Sequence, residues 1–328
     1  MARTSYHWRS LSYILAIVEV ALAALDGEGI AQPHGVPPAS SIPTPTPRSV
    51  AQRATVSVPP AGYYNPYDGG GSLLTAVVGT YPPGQGEPIN AIISAYSDSA
   101  VLQSTASNGG LINYYQSFGF STECLGQHAG NNQGANLGDG NGYLNQTAVI
   151  RWDYGDPTLG TCEETIEGGN HVRYWIQDGS QADSGAIFMA VSYEMPIAEQ
   201  HNIVPNGYNL GRDWLVGNAT SQSQIIPTLN DTNSSTYSGQ TAFNGYTYST
   251  SVKYVSGLLP NTSYGINHNG SVPVPGDNAV DGLVAVMTVK IVGEPASSGA
   301  EWSLPSTGMW TLSMLVLLLS IFSASPLL

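Results

Sequence analysis

The segment His171-Val172-Arg173-Tyr174-Trp175-Ile176 decides how the chain is read. It is rich in β-branched and aromatic residues, and its polar and apolar side chains alternate, as in a strand. Alternate residues of a strand share a face. His171, Arg173 and Trp175 therefore fall on one side, and Val172, Tyr174 and Ile176 on the other. Residues 147–153 divide in the same way, with Val149, Arg151 and Asp153 opposed to Ala148, Ile150 and Trp152. If the two strands are neighbours, Arg151, Asp153, His171 and Arg173 form one polar cluster. A solvated sheet face with a structural ion pair is the simpler reading of that cluster, and a functional site is the competing one.

Outward from this segment, strand patterns recur at 73–79, 89–96, 186–193, 246–254 and 283–292. Residues 99–118 carry apolar positions at helical spacing, although Gly109-Gly110 should break or kink the helix. Residues 208–219 place Leu210, Trp214 and Leu215 on one helical face. Residues 126–142 and 230–239, rich in Gly, Asn and Ser, read as loops. The pattern predicts a single α+β domain over 62–294, built on a mixed sheet with two main helices.

Only 10% of the residues are charged, and the net charge is −14. Residues 62–294 hold 5 Lys and Arg against 19 Asp and Glu. Such an acidic domain is unsuited to nucleic acid, whose phosphates need a basic surface, and to anionic lipid headgroups. Cys124 and Cys162 are the two cysteines. In an oxidising compartment they fit one disulfide, worth roughly 3.5–4 kcal/mol by chain entropy; two unrelated buried thiols is the other reading.

The two ends read as addresses. Residues 1–31 combine Arg3 and Arg9, an apolar run and A-x-A-like cleavage sites, the layout of a signal peptide, with Glu19 out of place in the apolar run. Residues 32–61, rich in Pro, Ser and Thr, read as a disordered stalk. Residues 295–328 read as a glycosylphosphatidylinositol (GPI) signal: small residues around Ser298, a short spacer and an apolar tail over 309–328. Ser298 is the expected attachment site, and an ordinary membrane span is the competing reading. Sequons at Asn145, Asn218, Asn230, Asn233, Asn261 and Asn269 predict surface positions for N-linked glycans. The expected location is the extracellular face of the plasma membrane.

Other candidates for chemistry are sparse. His201 precedes the second helix and Arg212-Asp213 lies within it; a His and an Asp can act as general base and orienting group, while a helix-surface charge pair is the common alternative. Glu163, Glu164 and Glu167 could supply paired carboxylates but read more simply as a solvated turn. The loop Asp139-Gly140-Asn141-Gly142 lacks the acidic spacing of a calcium loop. No nucleophile-elbow, phosphate-loop, zinc-protease or CxxC motif occurs. No metal site and no cofactor are expected.

Four segments taken together resemble one known family. They are Pro88-Ile89-Asn90-Ala91-Ile92-Ile93 ahead of a helix closing on Phe118-Gly119-Phe120; His171-Val172-Arg173-Tyr174-Trp175; the small-residue run 185–193; and His201-Asn202-Ile203-Val204-Pro205 leading to Arg212-Asp213. In this order, over 87–220, the chain resembles the LssY C-terminal-like domain family. Gly211 stands where that pattern has an acid, and Phe120 where it has Trp. The resemblance implies an α+β domain and singles out His171, Arg173, His201, Arg212 and Asp213 as candidate catalytic residues; it implies no particular reaction. The sequence thus leans towards a non-enzymatic, GPI-anchored surface glycoprotein. Its expected role is binding or wall-associated, with the membrane as one partner and cell-wall carbohydrate as another. A surface hydrolase using the His/Arg/Asp set is the alternative.

Overall fold

The computed structural model describes residues 58–128, 130–222 and 231–296. The expected signal peptide, most of the expected stalk, the Asn230 sequon and nearly all of the expected anchor signal, with Ser298, lie outside them. Among the described residues, no helix is long and apolar enough to cross a membrane.

The fold is an α+β domain built on one curled, eight-stranded mixed sheet. The strands are β1 (Ile89–Ile93), β2 (Phe120–Thr122), β5 (Ala148–Trp152), β6 (Gly169–Ile176), β7 (Ile187–Glu194), β8 (Thr236–Phe243), β9 (Tyr246–Thr262) and β10 (Val280–Gly293), in the order β2-β5-β6-β7-β1-β10-β9-β8. Only β1 and β10 pair in parallel; the other neighbours are antiparallel. A separate small ribbon joins β3 (Gly134–Asn136) to β4 (Tyr143–Asn145).

The central strands are buried on both faces. On one face, helix α1 (Leu111–Gln116) packs Leu111, Tyr114 and Tyr115 against Ile150, Val172, Tyr174 and Met189. On the other, Trp175, Phe188, Tyr208 and Ile266 form a second core. The predicted division of β6 holds: Val172 and Tyr174 enter the first core and Trp175 the second. Every residue of β1 is buried, Asn90 included. Asn90 occupies a bulge against β7, where its amide accepts from Val191 N–H and donates to the Val191 and Tyr208 carbonyls. The side chain thus stands in for the interrupted backbone ladder.

Helix α2 (Gly160–Glu167) packs on β5, and α3 (Gly207–Ala219) crosses the ends of the central strands. Asn170 Nδ2 on β6 donates to the Gly211 carbonyl of α3 at 2.9 Å. A Cβ at Gly211 would stand 2.5 Å from the Ser192 backbone, so the contact admits no side chain. Glycine at this position is thus what the packing requires.

Several expectations are corrected. Residues 73–79 form isolated bridges rather than a strand, because their backbone switches partners, pairing with Glu87 and then with Gly134. The expected helix over 99–118 shrinks to α1, since Asn108 and Gly109 take left-handed conformations; a Cβ at Gly109 would also meet the Tyr246 ring at 2.7 Å. The acidic run after Cys162 is not a solvated turn but α2, a third helix, and Glu164 is buried within it. The loop expected over 230–239 gives way to β8 from Thr236. Cys124 and Cys162 form the expected disulfide. Of the described sequons, Asn145, Asn233 and Asn261 are exposed, and Asn218 and Asn269 are half-buried.

Candidate functional site

The register places Arg151 opposite His171 and His171 opposite Ser192, across β5, β6 and β7. Arg173 and Glu194 project from the same face by the period of two. These side chains converge under cover rather than on a solvated face: Arg151 is 4%, His171 1% and Arg173 8% exposed.

Glu194 is the hub. Its Oε1 lies 3.0 Å from His171 Nδ1, and its Oε2 lies 3.4 Å from His201 Nδ1 and 3.8 Å from Arg151 Nη1. Arg151 Nη1 donates to Glu164 Oε2 at 2.7 Å, and Nη2 lies 3.8 Å from Glu123 Oε1. Glu123 in turn meets His128 Nδ1 at 2.8 Å. The disulfide holds the turn after Glu123 to α2, so it positions both carboxylates over Arg151.

Burial sets the charge states here. It pushes Glu164 up to about 7 against the pull of Arg151. It brings His171 down to about 3, with Arg173 and Arg151 adding to the effect. His171 is therefore neutral. A carboxylate only accepts, so the His171 proton sits on Nδ1, facing Glu194 and Ser192 Oγ. Burial opposes the charge on Glu194, but the Nδ1 proton that His171 directs at it, the contact with His201 and the positive charges of Arg151 and Arg173 outweigh it and bring it down to about 2. Contact with Glu194 raises His201. His171 Nε2 and Arg173 Nε and Nη1 are buried without a hydrogen-bond partner among the described residues.

The candidate set of the sequence divides in two. His171, Arg173 and His201 belong to this cluster. Arg212 and Asp213 make their contacts elsewhere. Fully buried Arg212 donates from Nε to Asp213 at 2.7 Å, from Nη1 and Nη2 to the Asp281 carboxylate at 2.8 Å each, and from Nη1 to the Leu283 carbonyl. Tyr254 donates its hydroxyl to Asp213 at 2.6 Å, and its ring faces the guanidinium. With its donors so engaged, Arg212 acts as a strut between α3, β9 and β10. Asp153 instead accepts from Gly155 N–H in the turn after β5. Sequence reasoning missed Glu194, although the alternation Ala190, Ser192, Glu194 places it on the His171 face. It also missed the pairing of Glu164 with Arg151, which no local pattern announces.

A second feature was not anticipated. The outward face of β8, β9 and β10 forms the floor of a groove of about 640 Å³. Register aligns Thr236, Lys253 and Val286 in one row and Ser238, Ser251 and Thr288 in the next. Pro60, Tyr63 and Tyr96 contribute a wall, and Tyr96 is 47% exposed. Among the described residues, no group of three or more His, Cys, Asp or Glu side chains is arranged to hold a metal ion.

Compared with known proteins, the chain matches no family model, and no curated protein or solved structure is significantly similar to it.

Proposed function

We propose that the chain is a surface glycoprotein, tethered outside the plasma membrane by a GPI anchor, whose domain binds carbohydrate in the groove over β8–β10. The groove carries this reading. It combines rows of hydroxyl side chains with an exposed tyrosine, and sugars offer hydroxyls for the first and apolar ring faces for the second. The anchor reading is supported by the small residues, spacer and apolar tail of 295–328. The similarity to the LssY C-terminal-like family is proposed on the same footing, from the four segments that carry it.

Binding of the full-length protein to an array of wall glycans tests the first part. Tyr96→Ala should weaken the bound glycan about three- to tenfold, the worth of one aromatic contact. An array with no bound glycan would overturn it. Phosphatidylinositol-specific phospholipase should release the protein from cells, and retention after treatment would sink the anchor.

A hydrolase is the second reading, favoured by one observation. His171 is oriented through Nδ1 by Glu194 while Nε2 is left unpartnered, the arrangement of a general base. Arg212 and Asp213 take no part in it. Turnover of a surface glycan or lipid that survives His171→Ala in a folded variant would refute this reading.

A further inference from the structure

We propose that the groove takes an acidic glycan, one whose sugars carry carboxylates, and that Lys253 is its ion-pairing contact. This rests on the carbohydrate-binding reading and specifies its ligand. Of the five Lys and Arg side chains among the described residues, Arg151, Arg173 and Arg212 are buried. The two exposed cations, Lys253 and Lys290, both project from the outward face of β9 and β10. Lys290 is held by Asp98 at 2.9 Å. Lys253 forms no ion pair among the described residues, and no Asp or Glu lines the groove in which it stands.

In so acidic a domain this segregation needs a cause. Edge protection, a common role for strand lysines, does not supply one, because β9 is paired on both sides. Charge complementarity does. A carboxylate lying on Lys253 finds an uncompensated cation, with the hydroxyls of Thr236, Ser251 and Thr288 within the same floor. The acidic remainder of the surface does not forbid this. At physiological ionic strength, charges beyond about 8 Å are largely screened, whereas a contact pair is not.

The test compares a short uronic-acid oligosaccharide with the same oligosaccharide after methyl esterification, each titrated against the full-length protein. The acid form should bind about two- to fivefold more tightly, as one exposed ion pair allows. Lys253→Met should abolish the preference for the acid form over the ester, with both forms titrated against the variant. Lys253 is exposed, so the variant should fold, which circular dichroism would verify. Equal binding of acid and ester, or an unaltered acid affinity in the variant, would overturn the proposal while leaving carbohydrate binding in place. If neither oligosaccharide binds and the wall-glycan array is also blank, the carbohydrate reading itself falls.

Discussion

Replacing Arg151 by Met should leave Glu164 as a buried acid without its cation. Glu164 is fully buried and Arg151 Nη1 is its 2.7 Å partner. In the wild type, burial has already raised the Glu164 carboxyl to about 7, with Arg151 restraining the rise. A raised carboxyl means that the folded state holds the proton more tightly than the unfolded chain does. Stability from this group is therefore greatest in acid, and it declines as pH rises from the ordinary carboxylate range to about 7. Above that, Glu164 is ionised in both states and the wild-type contribution is flat. In Arg151→Met the folded carboxyl stays protonated to higher pH, so the decline continues. Each further pH unit costs about 1.4 kcal/mol, or about 2 kcal/mol by roughly pH 8.5, over and above lost packing. Urea unfolding of both proteins between about pH 6 and 8.5, with the disulfide intact, measures this. Glu194 stays ionised throughout that range and does not confound it. Arg151→Met/Glu164→Gln should abolish the divergence. Parallel wild-type and Arg151→Met stability profiles above neutrality would refute the buried pairing.

Glu194→Gln should return the His201 titration towards the ordinary histidine value, because Glu194 is what raises it; a midpoint unchanged in an NMR titration of the imidazoles would contradict the hub. The lowered Glu194 carboxyl contributes stability that is present above the ordinary carboxylate range and is lost as pH falls towards 2. Its Gln variant should accordingly lose that part of the acid-unfolding profile. Asn90→Leu should cost about 3–5 kcal/mol, since it strands the Val191 N–H and two buried carbonyls at the β1 bulge; a loss below about 1 kcal/mol in urea unfolding would show that the bulge heals without the amide.

Much of the architecture was legible in the sequence. The alternation in 171–176 correctly put Val172 and Tyr174 on one side of the strand and Trp175 on the other, because the period of a strand is a local property; that both sides are buried in cores came from the structure. The cysteine pair, the helix over 208–219 and six of the sheet's eight strands were legible for similar reasons. What the sequence left open was which face is covered and which strands meet. The run after Cys162 looked like a solvated acidic turn because nothing near it in the chain predicts Arg151 above it. Likewise, Arg212-Asp213 seemed to belong with His201 because they are close in sequence, but the partners of the pair are Asp281, Leu283 and Tyr254, far along the chain. The groove was invisible for the same cause. Lys253, Thr236 and Val286 lie on three strands and become one row only through register. By itself the sequence determined the alternation, the acidity and the cysteine pair. The tertiary structure alone decided that one set of charges is buried as a network and the other is displayed, because side-chain environment depends on long-range pairing that no local pattern encodes.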